Sequence, residues 1–254
     1  MPKQKQNTDL MITIEQNRKK LTEMLSGTDT CKRLNNLNWL RHEMSYSEPR
    51  TLFTPPPGHK ASDWLDYTYM KNTEAAYDKI ATFFCAMPDA TNKITIEDVY
   101  DIHRILTNNT NMQISGGILR DNTKILNIRQ KDGTRIYAPD ACIVKYQLKE
   151  LIYNLNTSTK KPIVNAFNVH YEMIMLQPFE DFNKRTARAV MNMYLVQNGY
   201  QPVVFNGKKD RPEYIDAIAA RANGDTGAYM QYMMKCTVRT QQQLINIIKK
   251  SRIL

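Results

Sequence analysis

Two apolar helices joined by a short polar loop are predicted around the stretch Leu176–Arg188. Apolar residues recur at helical spacing on both sides of this stretch. Pro178 disfavours the α conformation at Gln177, so the first helix is expected to end there. Asn183 is a candidate N-cap for the second helix. Residues 176–188 are therefore predicted to form a tight loop between two apolar helices.

Charged side chains cluster where the second helix begins. Lys184, Arg185 and Arg188 flank its start, and Asp181 precedes them. The N–H groups and dipole of a helix N-terminus, together with guanidinium groups, suit a phosphate. A carboxylate beside a phosphate is a typical ligand of Mg²⁺. The residues alone leave two interpretations open, a phosphate and magnesium site or a surface helix start with solvated charges.

The same stretch resembles the signature of the Fic family, His-Pro-Phe-x-(Asp/Glu)-Gly-Asn-Gly-Arg-x-x-Arg. The flanking segments 165–172 and 191–200 are also similar to the helices around the family loop. The resemblance implies an all-α fold, a Fic-type helical bundle with a small β-hairpin flap. It also implies transfer of a nucleotide monophosphate, usually AMP from ATP, to a protein hydroxyl. The residues in register with the signature are Pro178, Phe179, Asp181, Asn183, Arg185 and Arg188.

The chain departs from the signature at the catalytic position. Gln177 stands where the family has the His that accepts the proton of the target hydroxyl, which a carboxamide cannot do. Phe182 replaces a small residue where the backbone approaches the phosphates. Lys184 replaces a Gly and resembles the Doc branch, whose members phosphorylate their target. The binding half of the motif is thus present, and the proton-transfer half is not.

The resemblance also assigns the residues that bind the ligand. The two catalytic positions that it implies are Gln177, at the place of the family His, and Asp181. Asp181 is expected to hold Mg²⁺ against the phosphates of ATP or another nucleotide. Tyr214 and Asn223 are similar to a late family element near the nucleotide base, although a helix with a Gly C-cap explains the same spacing. The nucleotide-binding residues that the resemblance implies are Asn183, Lys184, Arg185, Arg188, Tyr214 and Asn223.

A β-like region, residues 116–138, is predicted between the helical segments. Two strand-like runs flank Lys131-Asp132-Gly133, a favourable hairpin turn, and a plain surface hairpin is one interpretation. In the Fic family, a hairpin flap after a Gly-x-x-Arg element covers the active site, and the target protein pairs with its edge. The positions that the resemblance implies are Gly117 and Arg120 for the element and Lys124, Ile125 and Leu126 for the flap.

Three further residues are weaker candidates. Nothing at metal-ligand spacing accompanies His103, so a core or surface histidine is favoured there. His170 lies two helical turns before Gln177, about 10 Å away along the axis, so packing is favoured over the role of a displaced base. Glu48 is a candidate for the inhibitory glutamate that pairs with the second motif arginine, Arg188, in many Fic proteins, and a solvated loop carboxylate is the alternative.

Composition restricts the partners and the compartment. The net charge of +10 favours polyanions in general, but the basic residues are dispersed and no stacking-aromatic motif accompanies them, so nucleic acid is disfavoured. Four cysteines without a Cys-x-x-Cys pair are expected to be buried thiols in a reducing compartment. Neither a signal-peptide pattern nor an apolar run of about 20 residues occurs, so a cytoplasmic protein without a membrane partner is expected.

A single domain is expected, with residues 1–92 as its N-terminal helical part and residues 93–254 as the Fic core. Within the core, Thr95 and Asp98 predict a capping box at the start of a helix. Three functional hypotheses follow. The first is a nucleotide-binding protein with impaired catalysis. The second is an active nucleotidyl- or phosphotransferase with a substitute base, and the third is a scaffold that presents the flap edge to a protein partner.

Overall fold

The computed structural model is mostly helical and contains one small antiparallel sheet in the part of the chain that it describes. The predicted fold class is therefore confirmed. Within the same residues, no helix is long and apolar enough to cross a membrane. The structure describes residues 2–25, 68, 71–76, 93–121, 126–129, 133–205 and 207–251, with only the backbone at 2–4, 207–209 and 251.

The helices and strands follow one another in a simple order. A 3₁₀ turn, Gln113–Ser115, lies between the second helix and the sheet, and residues 71–76 are also helical. The elements are α1 (Pro2–Leu25), α2 (Ile96–Thr107), β1 (Asn127–Arg129), β2 (Arg135–Tyr137), α3 (Ala141–Thr157), α4 (Pro162–Leu176), α5 (Asn183–Gln197), α6 (Gly207–Ala222) and α7 (Thr226–Ser251). The chain divides into two compact units, Glu48–Asn198 and Met1–Ser47 with Gly199–Leu254. The predicted boundary at residue 92 stays a prediction.

Helix α2 starts at the predicted capping box. The N–H of Asp98 donates to Thr95 Oγ1 at 3.2 Å, and the N–H of Thr95 donates to Asp98 Oδ2 at 2.9 Å. At the other end, the Asn72 amide donates to the carbonyl oxygens of Leu106 at 3.1 Å and Asn108 at 2.5 Å. Both ends of the helix are thus satisfied by side chains. Its inward face carries Val99, Ile102, His103 and Leu106.

The core of the unit Glu48–Asn198 is the helix pair α4 and α5. Helix α3 packs on α4, and α2 packs on α5. Burial of each large apolar side chain contributes about 1.5–3 kcal/mol to folding. The loop that joins α4 to α5 therefore rests on the best-packed part of the unit. The fully buried apolar residues of the pair include Ile163, Phe167, Met173, Ile174, Val190, Met191 and Leu195.

The sheet is the predicted hairpin, with three residues in each strand. Asn127 pairs with Tyr137, and the register continues to Arg129 opposite Arg135. Gly133 adopts φ 86°, a conformation that a hairpin turn requires and glycine favours. The N–H of Ala138 also donates to the carbonyl oxygen of Leu126 at 2.9 Å. The predicted flap positions Lys124 and Ile125 lie outside the described residues.

In the other unit, α7 packs against both α1 and α6. The Tyr200 hydroxyl donates to Glu15 Oε1 at 2.5 Å, and the Arg18 guanidinium lies 4.7 Å from the centroid of the Tyr200 ring. Burial and the bond to Glu15 raise the pKa of Tyr200, so this hydroxyl keeps its proton and remains a donor.

The prediction that the cysteines are buried is wrong for Cys142, which is exposed near the start of α3. Cys236 is buried, and burial raises the pKa of its thiol to about 11. The inward positions of α3 are taken by aliphatic residues, among them Val144 and Leu148. The side that carries Cys142 therefore faces solvent, and of these two thiols the inert one is expected to be Cys236. Cys31 and Cys85 lie outside the described residues.

Candidate functional site

Helix α4 ends at Leu176, and Gln177 turns the chain into the loop, as predicted from Pro178. The Gln177 backbone is left-handed, with φ 44° and ψ 66°, and its N–H donates to the carbonyl oxygen of Met173 at 3.1 Å. A left-handed residue other than glycine costs roughly 1–2 kcal/mol. Neighbouring groups must therefore hold this residue in place.

Arg120 supplies that hold. Its Nε donates to the carbonyl oxygen of Gln177 at 2.7 Å, and its own N–H donates to the carbonyl oxygen of Pro178 at 3.0 Å. Nη2 also donates to the carbonyl oxygens of Leu176 and Pro139. Burial lowers the pKa of Arg120, but a guanidinium stays charged, and the negative end of α4 favours a cation. Arg120 thus fixes the first turn of the loop.

The Asn183 amide closes the middle of the loop. Nδ2 donates to the carbonyl oxygen of Phe179 at 2.7 Å, and Oδ1 accepts from the N–H of the same residue at 2.9 Å. Both polar atoms of the side chain are thus bonded to Phe179 rather than to the helix start. The predicted N-cap role is therefore wrong, because α5 begins at Asn183 and Phe182 is its N-cap.

His103 contacts the loop from α2. Its Nδ1 accepts from the N–H of Gly117 at 2.9 Å, and its Nε2 lies 3.2 Å from the carbonyl oxygen of Asp181. The ring stacks on Phe179 with a centroid distance of 3.7 Å and an interplanar angle of 6°. Burial lowers the pKa of His103 to about 4, so the imidazole is neutral at neutral pH.

The charged residues of the motif lie at the N-terminal end of α5. Asp181 and Lys184 are exposed, Arg185 is buried and Arg188 is half-buried. Arg185 and Arg188 are three residues apart and so occupy neighbouring positions on the helix surface. The first bond of the helix, from Thr186 N–H to Phe182 O, is 2.9 Å long. Cationic side chains and the positive end of a helix dipole therefore share one end of α5.

The Asp181 carboxylate is exposed in the loop just before the N-terminal end of α5. Its Oδ1 accepts from the N–H of Phe182 at 2.6 Å, which fixes the orientation of the exposed carboxylate. In the part of the chain that the structure describes, no group of three or more His, Cys, Asp and Glu side chains is placed to hold a metal alone. Mg²⁺ commonly combines one or two carboxylates with phosphate oxygens and water, so a single aspartate suffices.

Comparison with known proteins shows the family of the domain that contains this loop. Residues 93–195 match the family model described as the Fic/DOC family. These residues form a Fic/DOC domain. The chain is 28% identical over 147 residues to the "Protein adenylyltransferase Fic" of Drosophila melanogaster and of Drosophila simulans. Each match covers 58% of this chain and only 29% of the relative, so the chain spans less than a third of their length.

Solved structures support the same fold. Fic-1 from C. elegans superposes with a TM-score of 0.73 at 20% identity, covering 94% of this chain and 71% of that one. A Fic-domain-containing signaling protein from Bacteroides thetaiotaomicron superposes with a TM-score of 0.70 at 18% identity, covering 92% of this chain and 97% of that one. At these identities the comparison establishes the Fic fold.

Within the Fic domain, Phe182 is a packing residue of the loop. It is 4% exposed and adopts a left-handed backbone with φ 59°. The Arg185 guanidinium lies 4.4 Å from the centroid of its ring, and the His103 ring meets it edge to face at 6.4 Å. The cation and the ring attract each other, so Phe182 helps to orient one of the motif arginines.

The flap element Gly-x-x-Arg lies against α2 and the loop. Gly117 adopts φ 74°, and a Cβ added there would lie 3.0 Å from the carbonyl oxygen of Tyr100, so only glycine fits. Ser115 Oγ donates to Glu180 Oε2 at 3.1 Å, which attaches the preceding 3₁₀ turn to the loop. Ile118, the second residue of the element, is exposed.

The remaining predicted residues are distributed over the chain. Tyr214 is 6% exposed and packs on Phe205 in the unit that contains α6, at a centroid distance of 5.4 Å. Asn223 follows α6 in the same unit, so both predicted base contacts stay predictions. Glu48 lies outside the described residues. His170 is fully buried on α4, in agreement with a packing role.

Sequence reasoning missed the contact of His103 with the loop. The assignment of a core histidine agrees with its burial, but the spacing of residues does not indicate which main-chain groups the ring meets. The only local signal is that His103 shares the inward face of α2 with Val99 and Leu106.

Proposed function

We propose that this Fic domain binds ATP or another nucleotide with Mg²⁺ at residues 177–188, and that it transfers AMP to a protein hydroxyl slowly. The observation that carries the proposal is the state of the loop. Arg120, His103 and Asn183 fix its backbone by bonds that need no ligand. A preorganised site loses little conformational entropy on binding, so little of the interaction energy with the ligand is spent on ordering the loop.

The cationic residues would hold the phosphates. Arg185 and Arg188 offer charge-assisted hydrogen bonds, and Lys184 adds a flexible positive charge. The N–H groups of the first turn of α5 are directed toward the same end of the helix. Asp181 would hold Mg²⁺, which supplies positive charge against the phosphate oxygens.

Gln177 limits the proposed chemistry. Its amide can orient an acceptor hydroxyl by hydrogen bonds, but it cannot remove the proton. Its backbone is held by Arg120, so the side chain starts from a fixed point. Neither histidine in the described part of the chain replaces the base. Both nitrogens of His103 are engaged, and His170 is fully buried.

The flap would receive the protein acceptor. In the described residues the sheet has two strands, so a segment of a partner has an edge to extend. Two large apolar side chains within residues 116–138 lie in solvent. Ile118 is 59% exposed and Tyr137 is 61% exposed. Apolar surface beside a strand edge is typical of peptide recognition, and it supports a protein substrate.

Calorimetric titration of the full chain with ATP and Mg²⁺ tests the binding. Arg188→Ala should weaken binding by about 1.5–3 kcal/mol, or roughly 10- to 150-fold in Kd, because a hydrogen bond to a charged group is lost. Lys149→Ala is the matched control, since it removes an exposed charge from α3 outside the loop. Equal Kd values for wild type, Arg188→Ala and Arg185→Ala would place the nucleotide elsewhere and refute the proposal.

A further inference from the structure

His103 bonds two separate main-chain segments with one imidazole ring. Nδ1 accepts from the N–H of Gly117, which is 14 residues away in sequence, at 2.9 Å. Nε2 bonds the carbonyl oxygen of Asp181, which is 78 residues away, at 3.2 Å. A carbonyl oxygen cannot donate, so Nε2 must carry the proton, and Nδ1 must be bare to accept. The two bonds together require the neutral Nε2–H tautomer.

The plane of the ring is fixed as well as its nitrogens. His103 lies parallel to Phe179 with centroids 3.7 Å apart, and Phe182 meets it edge to face. Phe179 belongs to the part of the loop that the Asn183 amide closes. A shift of the imidazole would therefore move the closed loop as one body.

The Gly-x-x-Arg segment of the flap is attached to the loop at both ends. Its first residue, Gly117, reaches Asp181 through His103. Its last residue, Arg120, bonds the carbonyl oxygens of Gln177 and Pro178 directly. One attachment reaches Asp181 and the other reaches Gln177 and Pro178, so together they fix both the position and the orientation of the Gly-x-x-Arg segment.

We propose that His103 is a positioning residue that couples the flap to the Asp181 end of the motif loop. Its functional consequence rests on the proposed function, because the flap would receive the acceptor and Asp181 would hold the magnesium nucleotide. His103 sets the distance between these two surfaces. Nucleotide bound at Asp181 then stabilises the N–H of Gly117 through the two bonds of His103.

Amide hydrogen exchange of the unliganded full chain tests the coupling without any ligand. His103→Phe keeps the stacked ring and removes both hydrogen bonds. We expect at least tenfold faster exchange at Gly117, together with faster exchange at Phe179 and Phe182. Leu106→Ala is the control, since it is a buried packing loss on the same helix. The same pattern of exchange in both variants would overturn the proposal.

A second measurement uses the wild-type protein. Nitrogen NMR of His103 should show a neutral ring protonated at Nε2 at neutral pH, and a proton on Nδ1 would overturn the proposal. With ATP and Mg²⁺ present, wild type and Leu106→Ala should gain protection at Gly117, and His103→Phe should not. If calorimetry finds no nucleotide binding to wild type, the proposed function fails. The unliganded exchange and the tautomer then still decide the role of His103.

Discussion

The two ends of the motif loop are both held by hydrogen bonds from side chains, but they differ in chemistry. At the first end, Arg120 bonds the carbonyl oxygen of Gln177 at 2.7 Å. At the second end, Asn183 bonds both main-chain groups of Phe179, at 2.7 and 2.9 Å. The arginines of the motif are present at the second end, whereas the proton acceptor of the motif is replaced at the first. The backbone of the loop is thus held in place although Gln177 stands where the family signature has His.

The largest expected effect is on the rate of AMP transfer, and it comes from replacing the Gln177 side chain at the first end. Gln177→Asn keeps a carboxamide and should stay slow, whereas Gln177→His adds a group that can take a proton near neutrality. A positioned general base is worth about 10²–10⁴-fold in rate, so Gln177→His should raise AMP transfer from labelled ATP into that range. A silent variant that still binds ATP would show that the first end is not positioned for chemistry.

Releasing the backbone of the first end should lower stability. Arg120→Met leaves the buried carbonyl oxygen of Leu176 and the partly buried carbonyl oxygens of Gln177 and Pro139 without their donor, and we expect a loss of about 3–5 kcal/mol in the free energy of unfolding. Arg104→Ala is the control because its ion pair with Asp101 is exposed, and its loss should cost less than about 1 kcal/mol. Similar losses in urea unfolding would contradict the role of Arg120 as an anchor.

Acid should lower the free energy of unfolding through His103, which bonds Asp181 at the second end of the loop. Its pKa is about 4 when folded and about 6.5 when unfolded, so above pH 6.5 both states are neutral and there is no effect. Below pH 6.5 the unfolded state takes up the proton first. Stability therefore falls by up to about 3 kcal/mol as the pH drops from 6.5 to 4, at about 1.4 kcal/mol per pH unit. His103→Phe should lack this part of the pH profile, and an identical profile would contradict the assignment.

The smallest expected effect concerns the amide at the second end. Asn183→Ala leaves the buried N–H and C=O of Phe179 unpaired, which should cost about 2 kcal/mol in the free energy of unfolding. Asn198→Ala is the matched control, because Asn198 donates one bond to Tyr194 O at the end of α5 and is half-buried. Its loss should cost below about 1 kcal/mol. Equal losses of free energy in thermal or urea unfolding would show that the two bonds between Asn183 and Phe179 contribute no additional stability.

Local signals predicted the frame of the loop. Pro178 correctly marked the end of α4, Thr95 correctly marked the capping box of α2, and Gly133 correctly marked the hairpin turn. Each of these depends on the residues within one turn of the chain. The strand lengths and the exposure of Cys142 depend on packing by distant segments, and they were not predictable in the same way.

The anchors of the loop could not be predicted from spacing. Arg120 and Gln177 are 57 residues apart, and His103 and Asp181 are 78 residues apart. The direction of the Asn183 side chain was also unpredictable. An Asn side chain at the start of a helix can cap the helix or bond main-chain groups that precede it. Only the fold of residues 177–182 decides between these two arrangements. Phe182 stands where the family has a small residue, and spacing does not indicate that its ring is buried beside His103 and Arg185.

The affinity for ATP with Mg²⁺, measured by calorimetry for wild type and for Gln177→His, tests the central claim most directly. That claim is that phosphate binding at the second end of the loop does not depend on a base at position 177. The account predicts that both proteins bind and that their Kd values agree within about threefold, a difference below 0.7 kcal/mol. No binding to wild type, or binding that appears only in Gln177→His, would contradict it.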